Sequence, residues 1–283
     1  METALITLSE AGARLLWPIA GKIPDAALFA HDSVSAAALE DGLFPQKGGS
    51  SGAIAPVERF SKIAELTQRL FPLCRNLVYA APCGVVVRAI APLVQSKYKD
   101  PAVVVLDVGG RWAISLLSGH EGGANDLSIQ MANLTGAEPI ITTTTEAVKS
   151  VIVGVGCRRG TSAKTLVAAI RETLAEEGVE IAEVRYIASA DIKSDEAGLI
   201  EAGEILGAPL RFIPSTEIIK STRDFAHSEF VSGKVNLPAV AEPAALLAGR
   251  RTSFICRKKI VKGVTIALAR EEFSWSESAP EGR

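Results

Sequence analysis

The chain is poor in the residues that build metal and redox centres. It has only four cysteines, Cys74, Cys83, Cys157 and Cys256, and none forms a CxxC pair. Neither a zinc site nor a dithiol motif is therefore indicated, and unpaired thiols in a chain of this length suit a reducing compartment. Histidine is scarcer, with three in 283 residues. No run of 18 uncharged apolar residues occurs, so no membrane-spanning helix is expected. The opening METALITLSEAGARLLWPIAGK has neither a basic start nor an uninterrupted apolar stretch, unlike a secretory signal. The expected location is the cytoplasm. There is no basic surplus either: 30 Lys and Arg face 32 Asp and Glu, for a net charge of -2. That argues against a nucleic-acid partner. Both common nucleotide loops, GxxxxGK[ST] and GxGxxG, are missing.

What remains is an ordinary globular composition, 48% hydrophobic and 22% charged, in a chain long enough for one large domain or two ordinary ones. Short apolar runs alternate with helical periodicity. Strands are predicted at 4–8, 77–81, 103–106, 112–117, 140–143, 151–155, 184–188, 209–213, 253–256 and 264–269. Helices are predicted at about 10–19, with Ser9 as cap, and at 57–70, 85–93, 125–134, 162–177, 195–206 and 238–247. The pair 103–106 and 112–117, joined by Asp-Val-Gly-Gly, has the pattern of a hairpin. A loop rich in Ser, Gly and Pro spans 41–56. The alternation predicts an α/β architecture of two domains. Their boundary is set at 148/149, the second domain runs to 272, and 273–283 is read as a disordered tail.

Two glycine-rich loops each stand between a strand and a helix. In LLSGHEGGAND (116–126), backbone N–H groups at a helix start favour anions. His120 is a candidate general acid or base, since imidazole titrates near neutrality; its other reading is a group bonded within its own loop. Ser118, Asn125 and Asp126 are site groups or helix caps. GVGCRRGTS (154–162) has the same layout, with Arg158 and Arg159 beside a helix start, where guanidinium forks and backbone donors can converge on a carboxylate. Thr161 or Ser162 caps that helix. Cys157 has no evident base partner and reads as a small buried residue. In ADIKSDEAGL, acidic residues complement a helix dipole and Lys193 is the odd member. Glu242, before Pro243, is a cap-region residue or a pocket carboxylate. Arg88, on an apolar helix, snorkels or points into a cleft. Together these loops suggest a ligand with several carboxylates, gathered at the carboxyl ends of strands.

Those same motifs carry a family resemblance. The stretch CGVVVRAIAPLVQSKYKDPAVVVLDVGGRWAISLLSGHEGGANDL, followed by ITTTTE, resembles the N-terminal domain of the CbiG family. GVGCRRGTS, IASADIKSDEAGLIE, VAEPAALLAG and GVTIALAR resemble its C-terminal domain, which is also related to the stand-alone CobE protein. The resemblance covers 82–145 and 151–270. It implies a Rossmann- or flavodoxin-like first domain, a CobE-like second domain and a place in anaerobic cobalamin synthesis. Members of the family are cobalt-precorrin-5A hydrolases, which open a δ-lactone on the macrocycle and release acetaldehyde. Implied in turn are a cobalt tetrapyrrole substrate that brings its own metal, no resident cofactor or metal site, and a homodimer or contacts with other cobalamin-pathway enzymes as partners.

On that resemblance His120 is the first candidate base and Glu242 the second. The substrate-binding set is Arg88, Ser118, Gly119, Gly122, Gly123, Asn125, Arg158, Arg159, Thr161 and Lys193, with Gly122 and Gly123 allowing close approach. The sequence departs from the family pattern in four places. A middle segment carried by many members is absent, since Glu146 reaches Val151 through only AVKS. Val108 stands where Glu is usual, Glu121 where an apolar residue is usual, and Glu146 replaces Asp. The missing segment raises a second expectation, a non-catalytic CobE-like carrier of a corrinoid intermediate. A third, independent of the resemblance, is an anion- or nucleotide-binding α/β enzyme.

Overall fold

A computed structural model describes residues 1–35, 57–225, 237 and 239–272. The predicted loop at 41–56 and tail at 273–283 lie outside the described residues. The chain divides into two units, Met1–Thr143 and Thr144–Arg283. Among the described residues no helix is long and apolar enough to cross a membrane.

The first unit is a doubly wound α/β layer. Its strands are β1 (Thr3–Thr7), β2 (Ala26–His31), β3 (Val57–Phe60), β4 (Asn76–Ala80), β5 (Ala102–Leu106), β6 (Trp112–Leu117) and β7 (Glu138–Ile140), in the order β3-β2-β1-β4-β5-β6-β7. The first five are parallel, in the Rossmann order. β6 runs antiparallel to β5 and β7 follows β6. Helix α1 (Glu10–Ala20) starts at Ser9, whose hydroxyl accepts the Gly12 N–H. That bond satisfies one of the first-turn donors that a helix leaves open.

Every residue of β1 is buried, as expected of a strand covered on both faces. Leu5, Val78 and Val104 pack on one side with Leu16 and Ile19 of α1. α4 (Ala124–Thr135) adds Leu127 and Met131 to that layer. Ile6, Tyr79 and Val103 pack on the other side, against Leu66 and Leu70 of α2 (Ile63–Leu70) and Val86 and Ile90 of α3 (Cys83–Ile90).

The segment expected to be one helix over 57–70 is strand β3 followed by α2. β3 pairs with β2 as the edge of the sheet, where Glu58 and Arg59 stay exposed. β2 itself was not anticipated; it is a short parallel strand paired to β1.

The second unit is a five-stranded sheet. It comprises β8 (Val151–Gly156), β9 (Val184–Ala190), β10 (Leu210–Ile213), β11 (Thr252–Val261) and β12 (Val264–Glu271), ordered β10-β9-β8-β12-β11. β8, β9 and β10 are parallel, whereas β12 and β11 form an antiparallel hairpin beside β8. The short helix α5 (Thr144–Ala147) precedes the sheet. On one face Val153, Val155, Ile187 and Ile266 meet Leu166 and Ile170 of α6 (Ala163–Glu176) and Leu199 of α7 (Ala197–Leu206). On the other face Ala267 and Ala269 meet Ala241 and Ala245 of α9 (Ala241–Leu247). Helix α8 (Ser215–Lys220) follows β10. α7 starts two residues later than expected because Asp191–Lys193 forms a separate 3₁₀ turn. Of the two candidate caps for α6, Ser162 is the one used: its hydroxyl accepts the Thr165 N–H.

Candidate functional sites in the two units

The SGHEGG loop of the first unit is a closed knot built on its own backbone. Ser118, at φ +58, accepts the N–H groups of Gly122 and Ala124 at 3.1 Å each, and Gly119 accepts that of Asn125 at 2.9 Å. A Cβ at Gly122 would overlap the Ser118 side chain and stand 2.9 Å from the Ser118 carbonyl oxygen. The space that this glycine frees is therefore filled by the loop and not left for a ligand. Gly123 is needed for conformation, with φ +85 at the N-cap of α4.

Asn125, only 6% exposed, is not a cap. Its Oδ1 accepts the Ser115 hydroxyl at 2.9 Å and its Nδ2 donates to Thr143 Oγ1 at 3.0 Å, so it floors the loop. The hydroxyl of Ser118 is buried without a hydrogen-bond partner among the described residues. An orphan buried hydroxyl costs free energy and calls for an explanation.

His120 sits exposed at the tip of this knot, with no hydrogen bond orienting its ring among the described residues. Its neighbour Glu121 is paired with Lys97, and that bond holds the Glu121 carboxyl below the usual carboxylate range. Arg88 is not drawn to the loop: it is exposed and donates to the Gly84 carbonyl of its own helix at 2.9 Å. The loop also lies at an unexpected edge. Leu117 is opposite Val103, the beginning of β5. The hairpin reverses the chain, so SGHEGG lies at the amino ends of the five parallel strands and not at their carboxyl ends.

In the second unit the carboxyl ends of β8 and β9 do carry the predicted residues. The turn after β8 is closed by Thr161, whose N–H and hydroxyl both bond the Arg158 carbonyl, at 3.3 and 2.7 Å. Three contacts tie this turn to the segment after β9. Arg159 Nη1 reaches both oxygens of Asp195 at 3.0 Å and its Nη2 reaches the Ile192 carbonyl at 3.0 Å. Glu196 Oε1 accepts the Gly160 N–H at 2.7 Å. Gly198, on the first turn of α7, brings the chain so near the Thr161 carbonyl that a Cβ would overlap its oxygen.

Lys193 is buried, 8% exposed, with its Nζ 3.4 Å from Glu196 Oε2. Arg159 and Lys193 are thus held by carboxylates of their own chain, whereas Arg158 is exposed and its guanidinium has no partner among the described residues. Burial pushes the Cys157 thiol up; Lys193 acts in the opposite sense and Glu196 adds to the rise. Cys157 is half-buried and not the fully buried residue expected, and the raised direction is that of an inert thiol and not of an activated nucleophile. Glu242, 3% exposed on the first turn of α9, accepts the Lys258 N–H at 2.9 Å and so holds β11.

Sequence reasoning passed over Glu196, Ser115 and Thr143. Thr143 lies inside a motif that was recognised but given no role. In the sequence Glu196 reads as one of several dipole-complementing acids, and only its spacing of three from Lys193 hints at more.

Comparison with known proteins agrees with this two-part layout. Residues 65–146 match the family described as Cobalamin synthesis G N-terminal, and residues 151–269 match Cobalamin synthesis G C-terminus. A cobalt-precorrin-5A hydrolase of Salmonella typhimurium is 36% identical over 143 residues, a match covering 50% of this chain and only 36% of the relative. The enzyme of the same name from Priestia megaterium is 25% identical over 312 residues, covering 75% of this chain and 83% of the relative. That alignment is longer than this chain's 283 residues, so the relative carries residues inside the match that this chain lacks. Protein CobE of Sinorhizobium is 32% identical over 128 residues, 44% of this chain and 83% of the relative. With both halves matched in order along one sequence, the chain belongs to the CbiG family of cobalamin synthesis proteins.

Proposed function

We propose that this protein is a cobalt-precorrin-5A hydrolase of anaerobic cobalamin synthesis, working in the cytoplasm on a cobalt tetrapyrrole that brings its own metal, without a cofactor of its own. One observation carries the reading. Protein CobE is matched over 83% of its length by only 44% of this chain. A protein of that size corresponds to one half, whereas this chain has both halves of the hydrolase family.

In the proposed reaction a base takes a proton from water as the water oxygen bonds the lactone carbonyl carbon. Backbone N–H groups steady the oxyanion. The ring C–O bond then breaks to leave a carboxylate and an alkoxide. The alkoxide collapses to the aldehyde carbonyl, the C–C bond to the macrocycle breaks, acetaldehyde leaves, and the electron pair stays on the macrocycle until it is protonated. His120 is accessible, and an exposed imidazole nitrogen can take a proton from water. Glu242 is the alternative, with its buried carboxylate anchored by the Lys258 amide. At the carboxyl edge of the second unit, Arg158, without a partner among the described residues, takes a substrate carboxylate. A homodimer and contacts with other enzymes of the pathway belong to the same proposal.

A second reading, a non-catalytic corrinoid carrier, is favoured by the segment this chain lacks relative to the Priestia enzyme. Incubating purified protein with cobalt-precorrin-5A and trapping the aldehyde separates the two. Hydrolase activity predicts acetaldehyde from the wild type and its loss in His120→Ala, with the macrocycle still bound. A spectral shift on binding without any acetaldehyde establishes the carrier. Undiminished turnover in His120→Ala transfers the base role to Glu242, tested by Glu242→Gln.

A further inference from the structure

The carboxyl edge of the second unit holds three predicted cations, and the structure divides them. Arg159 is spent on Asp195 and the Ile192 carbonyl, and Lys193 lies inside against Glu196. Only Arg158 projects without a partner among the described residues. Whether Arg158 can serve a ligand depends on how firmly its backbone is held, because an ordered guanidinium fork loses less freedom on binding than a wandering one.

Glu196 is the group that holds it. The side chain is 5% exposed. One carboxylate oxygen takes the N–H of Gly160, two residues beyond Arg158, at 2.7 Å, and the other faces the Lys193 ammonium. An acid that merely complemented the dipole of α7 would stay in water. This one is removed from water and bonded to an amide 36 residues away in sequence. A charged acceptor on a backbone donor in a low-dielectric setting is a strong, directional bond. Resting on the proposal that this edge receives substrate carboxylates, we infer that Glu196 is a positioning residue: it locks the 158–161 turn so that Arg158 is aimed at a ligand carboxylate, with Lys193 as its internal counter-charge.

The test uses the full chain and cobyrinic acid, a cobalt corrinoid with free carboxylates, titrated by absorbance. To avoid stranding a buried charge, the lysine is replaced together with the glutamate. The structure takes Lys193 out of the expected ligand-binding set by burying it against Glu196, so Lys193→Met/Glu196→Gln, which keeps an acceptor for Gly160, should bind within about threefold of wild type. Lys193→Met/Glu196→Met keeps the packing without the acceptor and should bind about tenfold more weakly, the effect of one charge-assisted bond. Adding Arg158→Met to the latter should cost nothing further, although Arg158→Met alone weakens binding about tenfold. That non-additivity is what a residue acting through Arg158 must give, and a general loss of structure would not. Equal binding by the Gln and Met forms overturns the inference, as does an Arg158→Met effect that multiplies in full on the Met background. If Arg158→Met alone binds like wild type, the reading of this edge as a carboxylate site falls, and the inference falls with it.

Discussion

Gly198→Ala sets two opposed effects against each other at one position. Gly198 is the second residue of α7, and alanine in a helix is favoured over glycine by about 1 kcal/mol. Against that stands the Thr161 backbone. The added methyl would lie 3.2 Å from the Thr161 carbonyl carbon, 3.3 Å from the Ala163 nitrogen and inside the radius of the Thr161 oxygen. These are main-chain atoms that no rotamer change can move. The turn must shift away, and overpacking of this kind costs about 1–3 kcal/mol. A shift of the turn also strains the Gly160 bond to the buried Glu196, and losing a hydrogen bond to a charged group costs about 1.5–3 kcal/mol. The clash wins, with a net destabilisation of about 2 kcal/mol or more once the helix gain is subtracted.

Urea unfolding followed by circular dichroism measures the loss, and hydrogen exchange read by mass spectrometry locates it: amides of 157–162 should lose protection while those of β1 and β4 keep theirs. Gly21→Ala is the control. Gly21 has φ -74 and a Cβ there meets nothing within 4 Å, so alanine should be neutral or stabilising by about 0.4–1 kcal/mol. A Gly198→Ala protein as stable as the wild type, with the 157–162 amides equally protected, would refute the claim that the two loops are locked together by close contact.

Two further outcomes concern Ser118, which is buried, and Cys157, which is half-buried. Ser118→Ala removes a hydroxyl with no partner among the described residues, so the fold should be unharmed or gain up to about 1 kcal/mol; a large loss in melting temperature would show a missed structural bond. Cys157, with a folded pKa raised by burial, contributes stability that is intact below the ordinary thiol pKa and declines as pH climbs through the raised value. Peptide-mapped iodoacetamide labelling across pH 7.5–9.5 (about one unit either side of a free thiol) should therefore modify Cys157 more slowly than the unfolded control throughout; faster labelling at pH 7.5 would mark it as activated.

Much of the fold was legible because its signals are local. Ser9 and Ser162 cap their helices, Gly136 and Gly207 end theirs in left-handed conformation, and the Asp-Val-Gly-Gly turn does join an antiparallel pair. β2 escaped notice because AALFAH is a strand inside a parallel sheet, where neither alternation nor helical period shows. β3 was absorbed into α2 because VERF carries edge-strand charges that mimic the polar face of a helix. At the site, the 157–162 turn was visible as a strand–loop–helix joint, but the pairing of Arg159 with Asp195 and of Gly160 with Glu196 spans 36 residues and exists only once β8 and β9 lie side by side. The free cation therefore could not be told from the bound ones. The edge on which His120 falls was implied by the hairpin, since an antiparallel partner returns the chain to where β5 began.

The bond between Asn125 and Thr143 has a bearing on chain architecture. Thr143 is the last residue of the first unit, and its hydroxyl is fastened to the side chain that supports the His120 loop. Any polypeptide spliced in after this point, at the joint where the CbiG resemblance puts the segment missing here, begins its path anchored beside that loop. The start of such an insert would be present near the loop at a high effective concentration without any affinity of its own. The four-residue joint AVKS and a longer insert would then be alternative ways of leaving one fixed doorway, and the doorway itself is already built into this chain.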